Sequence, residues 1–149
     1  MPAVQTLGLV HFSLPANDVE ESLRFYTEVL GMTFRGKVGP NGRCVVTSDG
    51  AVNIVLAERP KPLPPEEQTQ RDGALCHYAF YVNSTDFDLA VDAIKESGAR
   101  FDEQIEWRNT GTFNGRSFYF FDPAGNRMEI NDPTPPVWPE HMQQGGQAR

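Results

Sequence analysis

Apolar residues recur along the chain with two periods, and the periods predict its elements. Between Asn17 and Gly31 they fall at Val19, Leu23, Tyr26 and Leu30, four, three and four apart, which is one face of a helix. Asn17 is placed to cap the first turn, Glu20 follows three residues later, and Gly31 suits a left-handed stop. A second helix is predicted from about Asp86 to Ser97. Phe87, Ala90, Val91 and Ile94 form its apolar face, with Ser84, Thr85 and Asp86 as capping residues and Gly98 at its end. Strand patterns cover residues 7–14, 43–47, 52–57, 76–82, 101–107, 117–121 and 127–130, with a fainter one at 32–38.

The order is strand, helix and three strands, then the same again. Each half runs from a histidine to a glycine, His11 to Gly31 and His77 to Gly98, and each continues through Gly-x-x-Phe, at Gly31–Phe34 and Gly98–Phe101. Arg43 precedes Asp49 by six residues, as Arg116 precedes Asp122. Asp49-Gly50 and Asp122-Pro123-Ala124-Gly125 then read as turns into each last strand. The chain is predicted to be α+β, one domain over residues 1–132 built from two β-α-β-β-β modules at about 7–58 and 75–132. Residues 59–73, with Pro60, Pro62, Pro64 and Pro65, read as an exposed linker. Residues 133–149 read as a tail that packs at Val137-Trp138 and then frays.

Composition narrows the function classes. The 149 residues are 39% hydrophobic and 11% aromatic, enough to fold. The formal charge of −7 argues against nucleic-acid or anionic-membrane partners, which require clustered Lys and Arg. No apolar run approaches the roughly 18 residues of a membrane span, and Met1–Gln5 has no basic lead into an apolar stretch. Cys44 and Cys76 cannot build a disulfide framework and read as reduced thiols. A small soluble cytoplasmic protein is expected.

Three polar residues do not fit a core. His11 and His77 occupy equivalent places on the strand that leads each helix, and Glu129 interrupts the strand pattern at Arg127-Met128-Glu129-Ile130. A sheet with a helix on one face leaves its other face to form a cavity. Two imidazoles and a carboxylate converging there match a two-histidine, one-carboxylate metal site with positions open for substrate. A lone strand histidine would ordinarily be a core residue satisfied by backbone; the paired placement points to the metal instead. His141 lies in the tail and is expected to be exposed.

The doubled β-α-β-β-β pattern, His11, His77 and the stretch from Ser117 to Glu129, with its Asp-Pro-x-Gly-Asn-x-x-Glu ending, resemble the vicinal oxygen chelate superfamily over roughly residues 7–132. That superfamily includes glyoxalase I, extradiol dioxygenases, fosfomycin-resistance thiol transferases, methylmalonyl-CoA epimerase and bleomycin-binding proteins. The resemblance implies that His11, His77 and Glu129 are metal ligands and that the protein is a homodimer. Glyoxalase I and the epimerase add a fourth ligand, Glu or Gln, on the last strand of the first half. Counting four residues from Gly50, as Glu129 follows Gly125, reaches Ile54, with Asn53 one register step away. Isoleucine cannot ligate, so three ligands are expected.

Three-ligand members are mainly dioxygenases and fosfomycin enzymes. The dioxygenases carry a tyrosine in this context and a histidine some residues before it. Tyr119 fits the tyrosine and is the candidate proton donor, with packing on its strand as the alternative role; Asn109–Phe113 holds no histidine. The fosfomycin enzymes carry a basic residue just after the last ligand, where this chain has Ile130-Asn131-Asp132-Pro133, which lowers that reading. Residues 108–115 read as a hairpin connection or a lid. Arg43 and Arg116 are expected to be exposed or paired with Asp49, Asp122 or other acids. Phe118, Phe120 and Phe121 read as walls or core, and alternation turns Cys76 away from His77.

The expectation is a metal-dependent enzyme acting on a small molecule with neighbouring oxygens, leaning to ring-cleaving or related dioxygenase chemistry. Fe(II) or Mn(II) is favoured, with Zn(II), Ni(II) and Co(II) as alternatives. A glyoxalase-like lyase or isomerase and a metal-free drug-binding protein are the competing readings.

Overall fold

A computed structural model describes residues 6–48, 50–64, 67, 76–109 and 113–133. The chain forms two compact units that meet in sequence at Pro62–Leu63. The first contains β1 (His11–Ala16), α1 (Val19–Arg24), β2 (Thr33–Val38), β3 (Arg43–Thr47) and β4 (Asn53–Glu58). The second contains β5 (Tyr78–Tyr81), α2 (Phe87–Glu96), β6 (Glu106–Arg108), β7 (Gly115–Phe121) and β8 (Arg127–Asp132). Strand order is β1-β4-β3-β2 in one sheet and β5-β8-β7-β6 in the other. In each, the leading strand runs parallel to the last and the other neighbours are antiparallel. One topology is used twice, as the two periods imply.

In the first unit Asp18, not Asn17, caps the helix: its Oδ1 accepts from the Glu20 and Glu21 amides, both at 2.9 Å. Asn17 instead accepts from Arg59 Nη1 at 2.8 Å. Two adjacent side chains of similar chemistry compete for one cap, and Arg59 takes the first. The helix continues through a π turn, Phe25–Val29, in which the Leu30 amide reaches back to the Phe25 carbonyl. That extra residue turns Phe25 inward beside Tyr26 and Ser22, leaving Val19, Leu23 and Leu30 half-buried. Leu14, Ala16, Ile54 and Leu56 face them from β1 and β4.

Cys44 is fully buried in β3 and Cys76 is exposed. Burial pushes the Cys44 thiol up from its ordinary value. One thiol per native chain is therefore expected to react with a maleimide, at Cys76, and two in denaturant. Rapid native labelling of Cys44 would contradict the packing.

In the second unit α2 buries Phe87, Val91 and Ile94, with Ala90 half-buried. Asp86 occupies the cap position without a side-chain cap bond. The strand predicted at 101–107 divides: Phe101 makes a single bridge to Phe120, a polar bend follows, and pairing resumes only at Glu106. The β7–β8 turn is built by Asp122, whose Oδ1 accepts from the amides of Ala124 (2.9 Å) and Asn126 (2.8 Å) and whose Oδ2 accepts from Asn126 Nδ2 (2.6 Å). Gly125 supplies its left-handed φ of 81°. The Asp-Pro-x-Gly-Asn motif is thus a turn that aims β8, and Asp122 has no charge to spare for Arg116. Arg116 is buried and paired with Asp132 and Asp88, so of the expected alternatives it takes other acids rather than Asp122 or exposure. Arg43 is exposed.

Most of the predicted linker, and the tail from residue 134 with Val137, Trp138 and His141, lie outside the described residues, as does Asp49. No helix among the described residues is long and apolar enough to cross a membrane.

Candidate metal and substrate site

Strand alternation sorts the second sheet into two faces. Phe118, Phe120, Met128 and Ile130 fall on the side of α2 and are core rather than cavity wall. Tyr119 pairs with Glu129 across β7–β8, and Glu129 with Ala79 across β8–β5, so all three share the opposite face. His77 stands just before β5, in step with Ala79. Cys76 is on the other side, its Sγ 3.9 Å from the Tyr78 hydroxyl.

His77 Nε2 lies 3.2 Å from Glu129 Oε2. The Glu129 side chain is 5% exposed and that of His77 37%, so the pair joins a buried charge to an accessible imidazole. Tyr119 stands edge-on to His77 at 5.7 Å, and the Arg127 guanidinium covers its ring at 4.6 Å. Arg108 completes the group: Nη2 donates to the Tyr119 hydroxyl at 2.7 Å, and Nη1 is 3.7 Å from Glu129 Oε1. His77, Glu129, Tyr119 and Arg108, with Ala79 and Phe113, line a cavity of about 380 Å³. Burial raises the Tyr119 hydroxyl above its ordinary value, against a smaller lowering by Arg108, so the phenol is protonated at neutral pH. Burial works against the Arg108 charge, but Tyr119, Glu106 and Glu129 more than offset it and hold its pKa above the ordinary value.

The His77–Glu129 pair fits a divalent cation. Two ligand atoms about 2.0–2.2 Å from one ion lie roughly 3.0–3.5 Å apart at octahedral or tetrahedral angles, and the observed separation is 3.2 Å. An imidazole nitrogen with a buried carboxylate oxygen is a donor set for Fe, Mn, Zn, Ni or Co. Among the described residues no group of three His, Cys, Asp or Glu side chains is gathered for a metal. The structure brings His77, Glu129 and Tyr119 together in the second unit; His11 is exposed on β1 of the first, paired in register with Asn53.

That register also corrects the repeat arithmetic. If His11 matches His77, then Ser13 matches Ala79, and its partner Val55 matches Glu129. Ile54 belongs to the buried face. The matching residue is aliphatic in either count.

Arg108 is the site residue that sequence reasoning passed over. The predicted strand stopped at Trp107 and left Arg108 in a loop, whereas β6 runs Glu106–Arg108 with Arg108 opposite Gly115. Glu and Arg two residues apart in a strand that neighbours the Tyr119 strand were the available signal. Arg108 also brings to the cavity, from β6, the positive charge that is absent after Glu129.

A model of the Glyoxalase/Bleomycin resistance protein/Dioxygenase superfamily matches residues 8–130. Glutathione transferase FosA of Serratia marcescens is 28% identical over 124 residues, covering 83% of this chain and 79% of that protein. The structure of oxidase ChaP-H2 is 26% identical with a TM-score of 0.65, over 89% of this chain and 98% of the other. A mutant of the fosfomycin resistance protein FosX from Listeria monocytogenes, complexed with Mn(II) and 1S,2S-dihydroxypropylphosphonic acid, has a TM-score of 0.66 at 20% identity. It covers 87% of this chain and 93% of its own, a likeness of fold. Proteins of one fold thus include a transferase, an oxidase and a Mn(II) complex.

Proposed function

Because the chain belongs to the Glyoxalase/Bleomycin resistance protein/Dioxygenase superfamily, we propose that it is a metal-dependent enzyme acting on a small molecule with adjacent oxygens. The carrying observation is the 3.2 Å His77–Glu129 pair, with Tyr119 and Arg108 at the wall of the same cavity. In this reading His77 and Glu129 hold the cation together with His11, and the working unit is a homodimer. The cation, when bound, polarises the substrate oxygens as a Lewis acid. Tyr119 holds a proton to give to a substrate oxygen. Arg108 cannot accept a proton and serves as a donor to the Tyr119 oxygen. Ala79 and Phe113 offer apolar surface to the rest of the substrate.

Oxygen-dependent chemistry on an aromatic diol is the first form of this reading, supported by Tyr119 and the likeness to an oxidase. Thiol transfer is the second, favoured by Arg108, by the lack of a histidine in the stretch Asn109–Phe113 that precedes Tyr119, and by the likeness to FosA. Chain purified without oxygen and loaded with Fe(II) or Mn(II) is expected to hold about one ion per chain, and His77→Ala none. Oxygen uptake with catechol selects the first form, and consumption of glutathione with an electrophilic phosphonate the second. Small-molecule binding that persists after chelation and in His77→Ala overturns the enzyme reading in favour of sequestration.

A further inference from the structure

The hydrogen bonds around Tyr119 have a direction. Arg108 Nη2 carries two hydrogens, and both are used: one goes to Glu106 Oε2 at 2.6 Å and one to the Tyr119 oxygen at 2.7 Å. A guanidinium has no acceptor, so the Tyr119 oxygen is the acceptor in that bond. A phenol hydrogen prefers the ring plane and has two places there. With Arg108 occupying one side of the oxygen, the proton is turned to the other. Among the described residues it has no acceptor.

The ring cannot swing to escape this. Arg127, itself tied to Asp102 at 2.9 Å, covers it at 4.6 Å, and His77 stands against its edge. Tyr119 is 6% exposed yet lines the cavity. Arg108, itself half-buried, is in turn paired with the exposed Glu106 on the same face of β6.

We infer that Arg108 is a positioning residue acting through Tyr119: by filling one side of the phenol oxygen it aims the hydroxyl proton into the cavity, at an acceptor oxygen of the ligand. The inference rests on the proposed reading for the identity of that ligand, but not for the Glu106–Arg108–Tyr119 geometry. A residue that binds the ligand itself would behave differently from one that works through a neighbour, and a double-mutant cycle separates the two.

The test compares wild type, Arg108→Met, Tyr119→Phe and the double variant, each dialysed against Mn(II) and titrated with oxalate, a small probe with adjacent oxygens. Metal content is expected to be equal in all four. Oxalate affinity is expected to fall about 10-fold in Tyr119→Phe, the loss of one hydrogen bond to a charged group. Arg108→Met should lose about as much and the double variant no more, while Arg108→Lys, which still donates, recovers most of it. Losses that multiply to about 100-fold in the double variant, or no loss in Arg108→Met, overturn the inference. If wild type holds no metal, the proposed function fails by itself, and the metal-free chain decides the inference. There the ring 13Cζ resonance of Tyr119, assigned with Tyr119→Phe, is expected to move in Arg108→Met and to return in Arg108→Lys. An unmoved resonance overturns it.

Discussion

Arg116→Leu is expected to destabilise the chain by about 3–5 kcal/mol, the cost of leaving a buried partner charge alone. Arg116 joins three elements. Nε donates to Asp132 Oδ2 at the end of β8 (3.0 Å), Nη1 to Asp88 Oδ1 on α2 (3.1 Å), and Nη2 to the Ser84 carbonyl before α2 (2.9 Å). The guanidinium also lies 4.2 Å from the Phe87 ring centre. Asp132 is fully buried and accepts from Ser84 Oγ at 2.9 Å as well. Without Arg116 its carboxylate loses the guanidinium and keeps the Ser84 hydroxyl. The Asp88 side chain is 74% exposed, so Asp88→Asn is expected to cost about 1 kcal/mol or less. Urea unfolding of the two variants reads the difference directly. The apolar pair Arg116→Met with Asp132→Leu should recover much of the loss, since no charge is then stranded. A cost for Arg116→Leu no larger than that for Asp88→Asn would show that the pair is solvated rather than buried.

This network also marks where sequence reading stops. The 3.6 and 2.0 periods identify both helices and the strands because burying one face is a local requirement that each residue meets or fails on its own. The doubled topology follows from the two histidine-to-glycine runs for the same reason. Choices between near-equivalent neighbours are different, because distant residues make them. Arg59 decides that Asn17 is not the cap, and the turn amides decide that Asp122 is not the partner of Arg116. Gly115 begins β7 at φ 112°, where a β-carbon would overlap the Asp132 backbone carbonyl, and that close approach is visible only once β7 and β8 are paired. Of the candidate site, His77, Glu129 and Tyr119 are legible because strand alternation and one turn bring them together. Arg108 depends on pairing with Gly115 across a connection whose length no local pattern sets.

Two buried acids three residues apart on β8 should therefore part company under mutation. Asp132 is spent on the fold. Glu129 is 4% exposed but faces a cavity, where it meets an imidazole and a guanidinium that are both partly exposed. Removing a carboxylate that the fold does not need relieves a desolvated charge, so Glu129→Ala is expected to unfold in urea within about 1 kcal/mol of wild type. Its effect should appear on adding metal. A ligand that binds only the folded state at 100 times its Kd stabilises by about 2.7 kcal/mol, and Mn(II) at that excess should raise the wild-type midpoint accordingly. In Glu129→Ala the affinity is expected to fall by more than about 100-fold, beyond what loss of a supporting partner produces, so the same Mn(II) concentration should stabilise it by less than about 0.5 kcal/mol. Equal stabilisation of both chains by Mn(II) would remove Glu129 from the metal site, and with it the reason for a buried carboxylate at that cavity wall.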